Sequence, residues 1–394
     1  MTEWLTGPRD DPAERAHRVV AAALRAAYAW TARRHRGDAM REVARMTGVV
    51  MEAHGPGRGP TTPLELVGCL RQPLGRLPAL SAQADEPIAQ AVLLDSDDRL
   101  TSDAYDLACE YALPVGGPSA SDRWKPTWAQ WMPTWTWMHA DKIRGDTFNA
   151  LRDGNGQEGY VASRRFLIEH PAGPLSELRD LISKTGVRLP PRGYTDIPAD
   201  HLHRSSGGET WWWPCAICRW PMGVSGTTVR CRYSPHAAVY QLTGGRTASS
   251  RPSLSRVDEG RPRLATPVAR PADDSRCLEF GVWRFVVVPG VSELRVKRSL
   301  EELGATVELW PQLDSYDLHV QAGDKKCQID VKEYRSPHRL IADLRAKAPS
   351  AHARILLPKT HEHQLETLRT ALPSLRFTTE TKFHSEVRRA LRTV

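Results

Sequence analysis

Two short runs near the C-terminus alternate apolar and polar residues in the way that β-strands do. The first covers residues 313–320 and the second residues 328–334, and a turn-forming Ala-Gly-Asp-Lys stretch lies between them. This pattern predicts a β-hairpin. Asp317 lies on its first strand, and Asp330 and Lys332 lie on its second. Side chains two residues apart leave the same face of a strand, so we expect Asp330 and Lys332 to point toward one place.

Two carboxylates beside an ammonium group are suited to binding a divalent metal ion and a phosphate. Mg²⁺ (or Mn²⁺) prefers carboxylate oxygens, which Asp317 and Asp330 would supply. A bound metal activates water, and Lys332 would orient that water or stabilise the charge that develops on the phosphate. Glu293, on a helix predicted upstream, is the third carboxylate candidate. Asp314 is an alternative to Asp317 as a metal ligand. We prefer Asp317, because Asp317 falls inside the apolar strand predicted over residues 316–320.

From Cys277 onward, predicted strands and helices alternate. The pattern predicts a strand from Trp283 to Val288 that ends at Pro289-Gly290, then a helix over residues 291–303. Further strands and helices are predicted on both sides of the hairpin. Alternation of this kind favours one compact α/β domain at the C-terminal end of the chain.

The order of these features resembles that of a known family. Glu293 lies on a predicted helix, and Asp317 lies on a predicted strand that follows it. The next strand carries the Asp-x-Lys motif as Asp330-Val331-Lys332, and a helix follows. This order resembles the PD-(D/E)xK, restriction-endonuclease-like nucleases. A closer resemblance, over residues 160–394, is to the REase-like protein encoded beside bacterial pPIWI-RE proteins. It is carried by the segments 289–294, 307–311, 314–318 and 330–334.

The resemblance implies a fold, an activity and partners. It implies an α/β restriction-endonuclease-like C-terminal domain and a Mg²⁺-dependent endonuclease that hydrolyses phosphodiester bonds, with DNA as the expected substrate. The implied partners are the Argonaute-like pPIWI-RE protein and a DinG-type helicase, in a bacterial system of defence against invading DNA. The alternative function is a non-catalytic, zinc-containing adaptor that binds nucleic acid. A third is a zinc-containing regulator whose α/β domain is a dimerisation platform, in which Asp317 and Lys332 would point away from one another.

A cluster of cysteines lies upstream of this domain. Its spacing is Cys-x2-Cys-x12-Cys-x4-His, and its members are Cys215, Cys218, Cys231 and His236. Three thiolates and one imidazole suit a closed tetrahedral Zn²⁺ site, which would be structural because no position is left open for water. Cys277 is the alternative fourth ligand. The related family also carries a Cys-x2-Cys stretch followed by Trp-Pro before its nuclease domain.

Charge is distributed unevenly along the chain. Residues 1–200 carry 24 Lys and Arg against 26 Asp and Glu, or −2, whereas residues 201–394 carry 30 against 20, or +10. A basic C-terminal half favours a polyanionic partner such as DNA. The sequence contains no apolar run near 18 residues and no signal-peptide pattern, so we expect no membrane association and a cytoplasmic location.

The chain is expected to have four parts. We predict a helical N-terminal region of unknown role over residues 1–150, and a helical segment with a zinc-finger-like module over residues 151–243. A Ser/Pro/Arg-rich flexible linker is predicted over residues 244–275, and the PD-(D/E)xK nuclease domain over residues 276–394. On the predicted helix from Tyr160 to Glu169, Arg164 and Arg165 are interpreted as a solvated face. Five tryptophans from Trp124 to Trp137 are interpreted as core or interface residues.

Overall fold

The protein is described by a computed structural model that divides the chain into two compact units, Met1–His139 and Ala140–Val394. The structure describes residues 12–55, 57–81, 88–111, 137–153, 156–190, 193–236, 238–243, 251–257, 264–346 and 352–392. Trp124, Trp128, Trp131 and Trp135 lie outside these ranges, so their predicted role stays a prediction. No helix within the described ranges has both the length and the apolar character needed to cross a membrane.

The first unit is helical. Its helices are α1 (Pro12–Ala32), α2 (Ala39–His54), α3 (Pro63–Leu70), α4 (Pro78–Ser81) and α5 (Ser102–Tyr111). The apolar stripe of α1, rich in Ala and Val, packs against α2 and forms the centre of this unit's hydrophobic core. Helix α3 begins at a cap in which Thr62 accepts the N–H of Glu65, at 3.2 Å.

The second unit begins with three helices, of which α6 (Trp137–Arg152) starts at the end of the first unit. The others are α7 (Gln157–Glu169) and α8 (Leu175–Thr185). Small antiparallel sheets follow, built from β1 (Ala172–Pro174), β2 (Tyr194–Asp196), β3 (His203–Arg204), β4 (Thr210–Trp212), β5 (Gly223–Ser225), β6 (Thr228–Arg230), β7 (Val239–Thr243), β8 (Ser253–Arg256), β9 (Arg270–Pro271) and β10 (Ser275–Leu278). Their orders are β1-β10-β2, β3-β4-β9 and β5-β6-β7-β8.

A five-stranded mixed sheet forms the C-terminal part of the second unit. Its strands, in spatial order, are β11 (Thr306–Leu309), β12 (Leu318–Ala322), β13 (Lys325–Val331), β14 (Ala353–Leu357) and β15 (Arg376–Thr379). The first three are antiparallel neighbours, and β13, β14 and β15 run parallel. The flanking helices are α9 (Phe280–Val282), α10 (Val288–Glu302), α11 (Pro337–Ala346), α12 (Leu365–Ala371) and α13 (Glu380–Arg392). The predicted hairpin is therefore the β12–β13 pair at the middle of this sheet.

The strand predicted from Trp283 to Val288 is wrong. These residues form a π-helical turn, Trp283–Val287, that joins α9 to α10. Trp283, Val286 and Val287 are all fully buried, so the segment shows no alternation, and a short apolar run of this kind does not distinguish strand from helix. Pro289 does not end the element; it occupies the first turn of α10, where a missing N–H is tolerated.

Two further expectations differ from the structure. The strand predicted from residue 316 begins at Leu318, so Asp317 lies immediately before β12 rather than inside it. The segment 244–275, predicted as a flexible linker, contains β8 and β9, which pair with β7 and β4 respectively. In β8 the exposed Ser253 and Ser255 flank the buried Leu254, and the composition of the segment gave no signal for this one inward-facing residue.

Candidate functional site

The β12–β13 hairpin brings Asp317 and Lys332 together. Asp317 Oδ2 accepts a hydrogen bond from the N–H of Val331 at 2.7 Å, and Lys332 Nζ lies 4.0 Å from the same oxygen. The last paired residues of the ladder are Leu318 and Ile329, so one further step of the register places Asp317 opposite Asp330. The two candidate carboxylates and the ammonium group therefore share one end of the hairpin. This arrangement argues against the dimerisation-platform hypothesis, in which Asp317 and Lys332 point apart.

The electrostatics of the hairpin end follow from its partial burial. Burial raises the pKa of Asp330, and the negative charge of Asp317 adds to this effect while Lys332 opposes it. Burial alone would lower the pKa of Lys332, but Asp317 and Asp330 outweigh it and raise that pKa. Lys332 is thus held as a cation, and its side chain keeps 27% of its exposure. A partly exposed cation thus lies beside Asp317 at this end of the hairpin.

Glu293 lies on α10 and is almost fully buried. Its carboxylate is held by the guanidinium of Arg164 at 2.9 and 3.1 Å, and it also accepts the indole N–H of Trp310. Burial raises the pKa of Glu293 to about 8, with Asp317 and Asp314 adding to the rise and Arg164 opposing it. Glu293 is therefore engaged in an interior network and is not an open ligand at the hairpin end.

Arg164 was interpreted from the sequence as part of a solvated face, and this was wrong. Its side chain is only 3% exposed, and it forms ion pairs with Glu293 and with Asp314. Its guanidinium also lies over the ring of Trp310, 4.3 Å from the centroid. Tyr160 stands four residues before Arg164 on the buried side of α7, and this spacing is the sequence signal that could have placed Arg164 inside. Asp314, the alternative metal ligand, is held by the same guanidinium.

Residues 310–314, which we call the left-handed turn, follow β11 directly and lie in the connection between β11 and β12. Four of them have positive φ: Trp310 (47°), Gln312 (54°), Leu313 (56°) and Asp314 (74°). None is glycine, and left-handed backbone costs such residues roughly 1–2 kcal/mol each. Gln157 donates from Nε2 to the carbonyl of Trp310 at 3.0 Å and accepts the N–H of Leu313 at 2.9 Å. Arg152 donates to the carbonyl of Leu313 at 3.1 Å.

The three candidate carboxylates do not form a ready-made cage. Across the described residues, one group of three or more His, Cys, Asp or Glu side chains has its ligand atoms all within 4.8 Å of one another, and it is the cysteine cluster. Glu293, Asp317 and Asp330 do not meet this condition. A metal at the hairpin end would therefore rely on Asp317 and Asp330 and on water.

The cysteine cluster has the geometry of a tetrahedral site. Cys218 Sγ lies 3.8 Å from Cys231 Sγ, and His236 Nδ1 lies 3.5 Å from Cys231 Sγ and 3.8 Å from Cys215 Sγ. A tetrahedron with metal–sulfur bonds of about 2.3 Å has sulfur–sulfur edges of about 3.8 Å. All four side chains are buried. The four predicted ligands therefore come together with the spacing that a single metal ion requires.

The knuckle that carries the first two cysteines is built by backbone hydrogen bonds. The N–H of Cys215 donates to the carbonyl of Trp220 at 2.9 Å, and the N–H of Arg219 donates to the carbonyl of Cys215 at 2.9 Å. Arg219 lies in the left-handed region, with a φ of 60°. Cys277 is not a member of the group: it lies in β10, where its Sγ is 3.9 Å from the carbonyl of Asp196. His236 is therefore the fourth member of the cluster, and Cys277 lies outside it.

A tryptophan links the cluster to the helix that carries Glu293. The indole N–H of Trp283 donates to Cys218 Sγ at 3.3 Å. Trp220, from the knuckle, stacks on Trp283 with centroids 4.4 Å apart and planes inclined by 15°. Its own N–H bonds to the carbonyl of Leu278 at 2.8 Å. The knuckle and the start of the α9–α10 helical run are thus packed as one body.

Comparison with known proteins gives family matches for two stretches of the chain. Residues 290–393, which contain the hairpin, match the family model described as "REase associating with pPIWI_RE". Residues 15–174 match the family model described as "pPIWI_RE three-gene island domain Y". Together the two matches support a REase-like protein of the pPIWI-RE island. No curated protein and no solved structure gives a match to this chain.

Proposed function

We propose that this protein is a metal-dependent endonuclease that hydrolyses phosphodiester bonds of nucleic acid, with DNA as the expected substrate. The observation that carries the proposal is the approach of Lys332 Nζ to within 4.0 Å of Asp317 Oδ2, opposite Asp330. The surrounding stretch matches a REase family model, which supports a restriction-endonuclease-like fold. The elements follow one another as helix α10 with Glu293, strands β11, β12 and β13, and helix α11, which agrees with the order on which the resemblance rests.

The residues at the hairpin end divide the work of hydrolysis. Asp317 and Asp330 would bind Mg²⁺, which activates water and offsets the charge of the phosphate when it is bound. The N–H of Val331 holds Asp317 in place. Lys332, which its neighbours keep protonated, stabilises negative charge on the phosphate through its ammonium group. Glu293, assigned from the sequence to the catalytic set, instead serves as the interior partner of Arg164.

The cysteine cluster fits a structural Zn²⁺ ion. Burial of the four side chains and the 3.8 Å distance between Cys218 Sγ and Cys231 Sγ, which matches the edge of a tetrahedral site, support zinc over two unrelated pairs of buried thiols. Hydrogen bonds from Cys218 and Cys231 lower the pKa of the Cys215 thiol, whereas burial raises the pKa of the Cys218 and Cys231 thiols, so a bound cation would be needed to hold all three as thiolates. The four protein ligands leave no position for substrate.

A cleavage assay tests the nuclease proposal. Lys332→Ala and Asp330→Ala are expected to abolish Mg²⁺-dependent cleavage of plasmid and single-stranded DNA, because each removes a charge from the hairpin end. Lys326→Ala is the matched control, since Lys326 is an exposed lysine of β13, the strand that Lys332 directly follows. It is expected to cut at the wild-type rate. Cleavage at the wild-type rate by folded Lys332→Ala protein would overturn the assignment.

A non-catalytic, zinc-containing adaptor is the second candidate. The observation that favours it is the engagement of Glu293 and Asp314 by Arg164, which removes two carboxylates from the metal. An adaptor would bind DNA without Mg²⁺-dependent nicking, and the assay above separates the two. In either case the domain Y match supports partners within the pPIWI-RE island. We propose the pPIWI-RE protein and a helicase as those partners, in defence against invading DNA and in the cytoplasm.

A further inference from the structure

The left-handed turn sets the position of Asp317. The N–H of Trp310, the first residue of the turn, donates to the carbonyl of Asp317 at 2.8 Å. Within the turn, the N–H of Asp314 returns to the carbonyl of Trp310 at 3.1 Å. A change in the turn would therefore move the backbone of Asp317, and with it the carboxylate that faces Val331 and Lys332.

Side chains from α7 hold the turn in its unusual conformation. The side-chain amide of Gln157 makes two hydrogen bonds to the turn: it donates to the carbonyl of Trp310 and accepts the N–H of Leu313. Arg164 binds Asp314, the last residue of the turn, and Glu293, which in turn accepts the indole N–H of Trp310. Both ends of the turn are thus fixed by the same helix.

The turn and the α7 residues that hold it lie in stretches of the chain that match different family models. Gln157 and Arg164 lie within residues 15–174, the stretch that matches domain Y. The turn and the hairpin lie within residues 290–393, the stretch that matches the REase family model. The contact between them is therefore not internal to the nuclease fold that the family model describes.

We propose that Gln157 and Arg164 are positioning residues of the hairpin site, which hold the left-handed turn so that Asp317 faces Lys332 and Val331. The proposal rests on the proposed nuclease function. A left-handed run of non-glycine residues persists only when its surroundings over-determine it, and α7 supplies those surroundings. When α7 releases the turn, the backbone relaxes toward ordinary φ values and Asp317 leaves the N–H of Val331.

The test uses the full-length protein with two substitutions and two controls. Gln157→Ala removes the bridge, and Arg164→Lys keeps the charge but loses the two-point geometry. The controls are Glu158→Gln and Arg165→Lys, because both side chains are exposed neighbours on α7. Amide hydrogen exchange of peptides covering residues 309–317 and Val331 reports the turn and the Asp317 contact directly. Steady-state cleavage with Mg²⁺ gives kcat and KM.

Both substitutions are expected to speed exchange at Val331 and in the turn, and to lower kcat on the order of tenfold to a hundredfold with little change in KM. The controls are expected to match the wild type in both measurements. Wild-type exchange at Val331 in both substituted proteins overturns the proposal. If the wild type does not cleave DNA, the nuclease proposal fails, while the exchange data still decide whether α7 positions Asp317.

A rescue experiment separates positioning from a general loss of stability. Gln312 is exposed and has a φ of 54°, which glycine adopts without a steric cost. Adding Gln312→Gly to Gln157→Ala is expected to restore slow exchange at Val331 and most of kcat. Failure of Gln312→Gly to restore either quantity shows that Gln157 does not act by holding the turn, and this outcome also overturns the proposal.

Discussion

At the scale of single residues, the hydrogen bond from Trp283 to Cys218 fixes the position of a proposed zinc ligand. A neighbouring N–H lowers the charge that a thiolate sulfur presents and fixes its direction. Trp213 offers a comparison, because it is equally buried but its indole N–H meets no acceptor among the described residues. The two tryptophans therefore differ in one interaction while sharing size and burial.

Trp283→Phe is expected to weaken metal binding at the cysteine cluster by roughly 10–100-fold, since such outer partners tune ligand strength. Titration with Co²⁺, followed by the thiolate charge-transfer absorption, measures this affinity without reference to activity. Trp213→Phe is expected to bind Co²⁺ as the wild type does. Equal losses in the two variants would show that packing, and not the hydrogen bond, is responsible.

Residues whose partners are near in sequence could be predicted, and those with distant partners could not. The four cysteine-cluster members and the pair of Asp330 and Lys332 are set by local spacing. Arg164 pairs with residues 129 and 150 positions away, and no local pattern reports such contacts. Its charge suggested solvent exposure, but two buried carboxylates hold it in the interior.

At the scale of elements, the helical run from α9 through α10 shows how packing overrides local preference. Its Val-rich segment favours a strand by propensity, but all its valines are buried in the hydrophobic core of the second unit. Gly290 lies in this run where α10 passes α7. A Cβ atom at Gly290 would come within 2.3 Å of Ile168 Cδ1, so the side chain of Ile168 would have to move to admit a larger residue.

Gly290→Ala is expected to lower the free energy of unfolding by about 1–3 kcal/mol, because the added methyl group overpacks the contact with Ile168. Gly145→Ala is the control: it is also helical, and nothing lies within 4 Å of its added Cβ. That substitution is expected to be neutral or stabilising by up to about 1 kcal/mol. Urea unfolding followed by circular dichroism measures both changes. Equal stability of Gly290→Ala and the wild type would contradict the packing described.

At the scale of the whole molecule, the cysteine cluster and the mixed sheet of the second unit share one hydrophobic core. Cys215, Cys218 and Cys231 belong to the same buried cluster as Leu318 and Ile329 of the hairpin. A metal bound by the cysteines therefore stabilises residues that pack continuously as far as the candidate site. Sequence composition predicted these parts as separate modules, because burial between distant segments leaves no periodic signal.

Cys231→Ser is expected to remove the stabilisation by Zn²⁺ and lower the thermal unfolding temperature of the protein, since binding energy at a structural site contributes directly to folding. Cys327→Ser is the control, because Cys327 is half-buried in β13 and lies outside the cluster. It is expected to keep the response to added Zn²⁺ and to chelator. Calorimetry with and without chelator makes the comparison. If chelator does not change the unfolding temperature of the wild type, the cluster holds no structural metal.

The pairing of Arg164 with Glu293 and Asp314 also bears on how the protein can be divided for biochemical work. A fragment that starts at residue 276, where the alternation of strands and helices begins, would retain both acids and lose their cation. The repulsion between the two carboxylates would then lack the cation that offsets it. The shortest fragment that preserves the site begins before Arg152, so that its N-terminal boundary falls inside the stretch that matches domain Y.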